Sequence, residues 1–250
     1  MGARMGFKDH FSRQAAAYSR HRPSYPRELI AYVAAQAPRR AWALDCATGN
    51  GQAAVALAEH FDAVLAVDGS SRQLAHAERH PRVRYAAALA EQLPARDGSV
   101  DLVAAAQAAH WFDPARFHDE CRRVLAPGGV VAVWTYGLFR GGDAFDEVID
   151  DFYGRVVGED WPPERRHVEQ AYRTLPFPWD EQETPAFELV TDWDLDQVLG
   201  YLGSWSAVQR WRERTGGDPL PALRPRLAAS WPSSGALRLR WPLHLRLGRA

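Results

Sequence analysis

A glycine-containing segment and a later aspartate are the residues of this sequence whose types and spacing indicate chemistry. Residues 44–51 read LDCATGNG, and Asp68 closes the next apolar run at 63–67. Glycine lacks a Cβ, so the backbone of such a segment can approach a ligand closely. An ionised Asp68 can accept hydrogen bonds from both hydroxyls of a ribose. This spacing predicts a site for a cofactor that contains a nucleoside, and adenosine is the nucleoside that we expect.

Two classes of cofactor share this layout. Gly49, Gly51 and Ala54 satisfy the GxGxxG/A pattern of dinucleotide sites, which leaves an NAD(P)-dependent oxidoreductase as an alternative. A dinucleotide site usually has an apolar strand residue where this chain has Asp45, so the local sequence favours S-adenosylmethionine (SAM). The oxidoreductase alternative also lacks an evident Tyr and Lys pair, because Lys8 is the only lysine. A third alternative is a SAM-binding protein without catalysis.

The elements that must position this site follow from the hydrophobic pattern over residues 41–136. Apolar runs of strand length alternate with segments of helix length, which predicts an α/β fold with parallel strands joined by helical crossovers. Strands are predicted at 41–46, 63–67, 83–87, 100–106 and 129–135. Helices are predicted at 52–61, from Ser70 or Ser71 to about Arg79, and from Asp113 and Pro114 to Leu125.

The composition changes in the last part of the chain. Tryptophan and proline become frequent across residues 140–232 and the parallel-sheet rhythm is lost, so this region is predicted to be a substrate cap. Apolar and charged residues then alternate with a period of two, which predicts an antiparallel closing strand over residues 235–248. Pro242 interrupts this strand and removes a donor, so a bulge or an edge position is expected there.

Whole-chain properties narrow the classes of partner. The 250 residues are 46% hydrophobic, which suffices for one α/β domain, and 30 basic residues balance 31 acidic ones. This balance favours a small-molecule substrate over nucleic acid or a membrane. Cys46 and Cys121 are too few for a disulfide framework or a thiolate metal site, and residues 1–10 lack the apolar core of a secretory signal. We therefore expect a cytoplasmic protein, monomeric or homodimeric, without a metal.

Several sequence blocks resemble a known enzyme family. The loop at 44–51, AEQLP at 90–94 and LAPGG at 125–129 occur in the order typical of class I SAM-dependent methyltransferases of the type 11 branch. RPSYP at 22–26 and QAAHWFD at 107–113 are similar to trans-aconitate methyltransferase and its relatives. The resemblance implies transfer of a methyl group from SAM to oxygen or nitrogen of a small molecule, with a carboxylate or a secondary metabolite as the suggested acceptor.

The resemblance, which covers residues 42–136, also implies a fold. We expect a Rossmann-like sheet of seven strands, with an antiparallel last strand and a small helical lid. The lid would comprise residues 1–40 and the cap, and residues 41–136 would form the SAM-binding core. One residue departs from the family's DxGxGxG motif, because Ala47 stands where the first glycine is expected. An alanine is harmless there unless the position needs a φ above zero.

Site residues follow from the same resemblance. Cofactor contacts are expected from Tyr18, Arg22, Asp45, Ala47, Gly49, Gly51, Asp68, Gly69, Gln73, Ala90, Glu91 and Gln107. The acceptor pocket is expected to be lined by Tyr25, His110, Trp111, Trp134 and Tyr136. His110 is a candidate for proton transfer or for a hydrogen bond to the acceptor. Structural alternatives are a helix cap for Asp68, a structural histidine for His110 and core packing for the tryptophans.

Overall fold

The strands of the protein form one mixed sheet. The computed structural model of the chain describes residues 23–233 and 235–250. In these ranges the sheet has eight strands in the order β3-β2-β1-β4-β5-β8-β6, and β7 also pairs with β8. The strands are β1 Trp42–Cys46, β2 Ala63–Asp68, β3 Val83–Ala87, β4 Val100–Ala106, β5 Leu125–Tyr136, β6 Asp180–Gln182, β7 Phe187–Trp193 and β8 Leu237–Arg249.

Helices cover the sheet. In the described ranges the α-helices are α1 Arg27–Gln36, α2 Gln52–Ala58, α3 Ser71–Ala75, α4 Pro114–Val124, α5 Asp143–Asp151, α6 Arg165–Glu169, α7 Leu195–Gly203, α8 Ser206–Thr215 and α9 Leu220–Ala229. Single 3-10 turns cover Ala109–Trp111 and Gly158–Asp160, and a π-helical segment, Phe152–Val156, continues α5. None of the helices in this part of the chain combines the length and the apolar character that crossing a bilayer requires.

The central strands are largely buried on both faces, as their mainly apolar sequences predict. In β4, Leu102 and Ala104 pack with α1 and α2, whereas Val103 and Ala105 pack with α4 on the opposite face. This alternation follows from the period of two of a strand. The predicted parallel pairing of β1 with β2 and β4 is confirmed, so the carboxyl ends of these strands lie at one edge.

β8 closes the sheet as an antiparallel strand, as predicted, with β5 on one side and with β6 and β7 on the other. Of the two alternatives expected at Pro242, the bulge is wrong, because the register with β7 is continuous across this residue. The edge position is confirmed on the side of β5, whose pairing with β8 ends at Leu243. The Pro242 carbonyl accepts a hydrogen bond from Gly137. The N–H and the C=O of one strand residue point to the same side of the strand. The N–H that Pro242 lacks would therefore point to the side where β5 has already ended at Tyr136.

Several element boundaries differ from the prediction; α2, predicted over 52–61, ends at Ala58, and tertiary contacts account for two of the other differences. α3 ends at Ala75, earlier than predicted, because the N–H of Glu78 donates to the carbonyl of Asn50 at 2.9 Å and directs the chain to the loop after β1. β5 begins earlier than predicted, because Leu125 already pairs with Val100 before the register shifts. In both cases a contact with a distant segment sets the boundary.

The regions predicted to be a lid and a cap contribute to the core. β6 and β7 lie within residues 140–232, and both pair with the same edge of β8, one after the other along its length. The sheet therefore has eight strands in the seven positions that were predicted. Phe139 stacks on Trp241 with ring centroids 5.1 Å apart, and Trp205 is buried beside them. Leu29 and other apolar residues of α1 are buried against the sheet. The proposal of a lid is therefore confined to the residues before α1 and that of a cap to the helices between β5 and β8.

Candidate active site

The loop after β1 turns in front of the carboxyl ends of the central strands. Ala47, Gly49 and Gly51 have φ angles of 53°, 58° and 87°, all in the left-handed region. The N–H of Thr48 donates to the carbonyl of Val67 in β2 at 2.9 Å. This bond fixes the loop to the neighbouring strand, and the alternating positive φ angles give the tight turn that leads into α2.

The two glycines of this loop have different surroundings. A Cβ on Gly51 would lie 2.3 Å from the Tyr85 hydroxyl, whereas a Cβ on Gly49 would meet no atom of the described residues within 4 Å. Tyr85 is held over Gly51 because its hydroxyl donates to the carbonyl of Glu78 at 2.6 Å. Packing therefore requires glycine at position 51, and Gly49 borders open space that a ligand can enter.

Ala47 occupies a conformation that favours glycine. Its φ of 53° places it in the left-handed region, which costs a residue with a Cβ roughly 1–2 kcal/mol. Alanine was expected to be harmless here only if the position needs no positive φ. Because the φ is positive, this alanine is strained. The loop holds one strained residue at its first motif position.

Asp45 is a buried carboxylate with one oxygen left over. Its Oδ2 accepts a hydrogen bond from the Thr48 hydroxyl at 2.6 Å, while Oδ1 has no partner among the residues that the structure describes. Burial raises the pKa of Asp45 to about 7, and the negative charge of Asp68 adds to this effect. A cationic group next to Oδ1 would satisfy this oxygen and restore the ionised form.

Asp68 connects the loop after β1 to the start of α3. Its Oδ2 accepts from the N–H of Gly49 at 2.9 Å, and its Oδ1 accepts from the N–H of Ser70 at 2.7 Å. The residue that caps α3 is Ser70, as one of the predicted alternatives has it, because its side chain accepts from the N–H of Gln73. Asp68 is therefore not the helix cap. A carboxylate is also the type of acceptor that binds the hydroxyls of a ribose.

The remaining predicted cofactor residues have mixed surroundings. Glu91 accepts a hydrogen bond from the N–H of Asp113 at 2.8 Å and so fixes the start of α4. Ala90 and Gln73 are buried, and Gly69 is half-buried between Asp68 and Ser70. The predicted lid residues Tyr18 and Arg22 lie outside the described residues.

Gln107 joins the ends of β4 and β5. It has a φ of 53°, and its Oε1 accepts from the Thr135 hydroxyl at 2.6 Å and from the N–H of Tyr136 at 2.9 Å. Its own N–H donates to the Trp134 carbonyl. Gln107 was expected to contact the cofactor. Because its side-chain oxygen accepts two hydrogen bonds from β5, the structure supports a role in positioning the ends of the two strands.

His110 lies in the 3-10 turn after β4, at the same edge as the loop. Its Nδ1 and the Tyr172 hydroxyl are 2.8 Å apart, and its ring packs on that of Trp111 with centroids 4.7 Å apart. Burial lowers the pKa of His110 to about 3, and the charges of Arg165 and His167 add to this effect. The ring is therefore neutral at pH 7 and a weak base, which suits hydrogen bonding better than proton abstraction.

The aromatic residues predicted to line the acceptor pocket differ in their burial. Tyr25 packs edge-on against Trp134, with ring centroids 5.6 Å apart, and lies 6.4 Å from the ring of Tyr136. Trp134 has no exposed surface, and Tyr136 is also buried. Trp134 is thus a core residue beneath the site, which corrects its assignment as a pocket wall, whereas Tyr25 and Trp111 keep partial exposure.

Residues that no sequence pattern indicated complete this edge. Tyr172 is fully buried and bonds to His110. Arg165 donates from Nε to the Tyr153 hydroxyl at 2.9 Å, and its guanidinium lies 4.7 Å from the ring centre of Trp161. These residues belong to the irregular region after β5, so no periodicity or motif could have pointed to them.

The comparisons with known proteins agree with this geometry. Residues 44–133 match a family model described as a methyltransferase domain. A Dictyostelium discoideum protein named as a methyltransferase is 30% identical over 229 residues, which cover 90% of this chain and 87% of the relative. The chain belongs to the class I SAM-dependent methyltransferases.

Further similarities of this methyltransferase extend over most of its length or name the cofactor. A solved structure from Anaeromyxobacter dehalogenans, described as a type II methyltransferase, has a TM-score of 0.85 and 51% identity, covering 91% of this chain and 97% of that chain. A Saccharomyces cerevisiae protein named as an S-adenosylmethionine-dependent methyltransferase is 30% identical over 132 residues, 49% of this chain and 45% of the relative. The family decides between the two cofactor classes that the glycine pattern left open and excludes the oxidoreductase. The similarity to trans-aconitate enzymes stays a prediction.

The residues of this methyltransferase fit the cofactor that its family uses. Asp45 Oδ1 is a buried oxygen with no partner among the residues that the structure describes, and it suits the ammonium group of SAM. No atom of the described residues lies within 4 Å of a Cβ placed on Gly49, and the carboxylate of Asp68 is an acceptor of the kind that ribose hydroxyls bind. All three lie at the carboxyl edge of parallel strands, where open α/β sheets bind their ligands.

Proposed function

We propose that this methyltransferase moves the methyl group of SAM to an oxygen or nitrogen atom of a small molecule. The observation that carries the proposal is the buried Oδ1 of Asp45, which has no partner among the residues that the structure describes and lies in the strand that leads into the glycine loop. A buried carboxylate oxygen without a partner is unfavourable unless a ligand supplies a donor. The ammonium group of SAM is such a donor, and its positive charge is opposite to the negative charge of the carboxylate.

The chain's own residues would divide the work of binding. Asp45 holds the ammonium group, Asp68 accepts from the ribose hydroxyls, and Gly49 allows the backbone to come close. When bound, SAM supplies a methyl group that its positively charged sulfur has already activated. The remaining task of the site is to align the acceptor and exclude water, which can lower the barrier by roughly 7–11 kcal/mol in the best intramolecular cases.

The protonation state of His110 indicates which chemical class of methyl acceptor to expect. A neutral imidazole with a pKa of about 3 is a poor base at pH 7. A carboxylate is already deprotonated at this pH and needs no base to accept a methyl group. Small carboxylic acids are therefore the first class of acceptor to test, and the His110 ring would orient them by a hydrogen bond.

Calorimetric titration with S-adenosylhomocysteine, the demethylated cofactor, and in parallel with NADH tests the proposal. We expect micromolar binding of the homocysteine nucleoside and none of NADH. Asp45→Asn should weaken binding by roughly 10- to 100-fold, because a hydrogen bond between charged groups is worth about 1.5–3 kcal/mol. Asp62→Asn is the matched control, since Asp62 is exposed at the opposite end of β2. Selective NADH binding, or no loss in the Asp45 variant, would refute the proposal.

A further inference from the structure

Arg165 is held in a rigid aromatic frame next to the candidate site. Its guanidinium lies 4.7 Å from the ring centre of Trp161 and 5.5 Å from that of Tyr153. Nε donates to the Tyr153 hydroxyl at 2.9 Å, and the Trp161 indole N–H donates to the backbone carbonyl of Tyr153. Both the plane of the guanidinium and the ring that covers it are therefore fixed.

This arginine has no carboxylate partner among the residues with described positions. Arg122 and Arg246 also lie over aromatic rings, but each forms an ion pair, with Asp119 and Glu181. The carboxylate nearest to Arg165 in its own hydrogen-bond network is that of Glu169, which instead accepts from the Tyr153 hydroxyl at 2.5 Å.

The donors of Arg165 that remain are suited to an oxyanion. Of the five guanidinium N–H groups only the one on Nε has a partner in this part of the chain. The terminal nitrogens keep the geometry that binds a carboxylate or a phosphate with two parallel hydrogen bonds. Stacking on Trp161 shields one face of the cation from water, which strengthens its electrostatic interactions.

The position of Arg165 connects it to the acceptor side of the site. α6, which begins at Arg165, packs against the 3-10 turn that carries His110. The charge of Arg165 is close enough to lower the pKa of the His110 ring and to oppose the rise that burial causes in the pKa of Tyr172. The other charged group that acts on His110 is His167.

We propose that Arg165 binds an oxyanion of the methyl acceptor and thereby selects anionic acceptors, with Trp161 packing beside the bound molecule. This inference rests on the proposed function, since it concerns the acceptor of that same site. The bound oxyanion is distinct from the atom that receives the methyl group, because a bidentate guanidinium engages the lone pairs of a carboxylate and makes it a weaker nucleophile. The acceptor therefore carries at least two functional groups, one for Arg165 and one for the reaction.

The test uses protein saturated with S-adenosylhomocysteine and three probes: succinate, its neutral dimethyl ester and inorganic phosphate. We expect calorimetry to detect binding of an anionic probe and none of the ester. Arg165→Gln should weaken that binding by roughly 10- to 100-fold, and Arg165→Lys, which keeps the charge but loses the planar fork, should restore part of it. Arg166→Gln, an exposed neighbour on the same helix, is the matched control and should bind like the wild type.

The outcomes separate this inference from the proposed function. Affinity for S-adenosylhomocysteine is measured first in every variant, and equal values show that the fold and the cofactor site are intact. Failure of the wild-type protein to bind this nucleoside would refute the proposed function. Normal cofactor binding with no anion bound, or with anions bound equally well by Arg165→Gln, would overturn the role of Arg165 alone. Binding of succinate but not phosphate would assign the site to carboxylates, and the reverse would assign it to phosphates.

Discussion

The carboxylate of Asp68 accepts a hydrogen bond from the backbone N–H of Gly49 at 2.9 Å. The residue expected to bind the ribose therefore also shapes the loop expected to bind the amino-acid part of the cofactor. Because the second oxygen of Asp68 accepts from Ser70, one side chain joins the ends of β1 and β2 to the start of α3. The two halves of the cofactor site are thus coupled before any ligand binds.

The buried Asp45 should make stability depend on pH. Burial raises its pKa from 3.8 to about 7, so between these values the folded state binds more protons than the unfolded state. The contribution of Asp45 to stability therefore falls as pH rises from about 4 to 7. Asp45→Asn removes this dependence, and the free energy of unfolding of the variant should gain on that of the wild type by up to about 4 kcal/mol across this range.

Urea unfolding of both proteins at pH 4.5 and 7.5, without cofactor, measures this difference. Asp62→Asn serves again as the control and should follow the wild type at both pH values. A difference between Asp45→Asn and the wild type that stays constant with pH would contradict the assignment of a raised pKa.

Replacement of Ala47 by glycine should stabilise the loop. The φ of 53° costs alanine roughly 1–2 kcal/mol, and the greater freedom of glycine in the unfolded chain returns about 0.4–1 kcal/mol of this. We expect the free energy of unfolding to rise by roughly 0.5–1 kcal/mol. Ala54→Gly, within α2, should instead lower it, because Ala54 has no left-handed backbone to relieve. A loss of stability in Ala47→Gly would show that the position does not adopt a positive φ.

The two loop glycines should respond differently to alanine. Gly51→Ala brings a Cβ into the Tyr85 hydroxyl and should cost about 2–4 kcal/mol through overpacking and backbone strain. The new Cβ of Gly49→Ala meets no atom of residues 23–233 and 235–250, so this change should cost only the backbone strain of roughly 1–2 kcal/mol but weaken binding of S-adenosylhomocysteine.

Tyr85→Phe separates overpacking from strain at Gly51. Without the hydroxyl, the nearest ring atoms would lie 3.2 and 3.3 Å from the new Cβ, so part of the lost stability should return in the double variant. A double-mutant cycle based on thermal unfolding measures this coupling. Strictly additive effects would argue against contact between the two residues.

The hydrogen bond between Tyr172 and His110 should hold the ring neutral and in place. Because burial lowers the pKa of His110 to about 3, its imidazole resonances should not titrate between pH 5 and 8 in nuclear magnetic resonance spectra. Tyr172→Phe leaves a half-buried ring nitrogen without this partner and should cost about 1 kcal/mol of unfolding free energy. Tyr32→Phe, which loses an exposed hydroxyl contact, is the control and should change stability little. Titration of His110 near pH 6.5 would contradict its buried setting.

Local patterns predicted the central elements because their causes are local. The prediction of a strand at 100–106 agrees with β4, Val100–Ala106, since its apolar residues from Leu102 to Ala105 are buried on both faces of the sheet. The start of α4 was also predicted, because Asp113 caps it and Pro114 suits its first turn. Boundaries failed where a tertiary bond decides them, as at the end of α3, where Glu78 bonds to Asn50.

The α/β class, the loop at 44–51 and the strand-end position of Asp68 follow from the order of residues, because they depend on spacing along the chain. The folded chain was needed to show that Ala47 is left-handed, that Gln107 joins two strands and that Trp134 is core rather than pocket wall. It also brought Tyr172 to His110 across 62 positions and set Arg165 in its aromatic frame. Contacts of this kind depend on how distant segments pack, and no local pattern of residues specifies that.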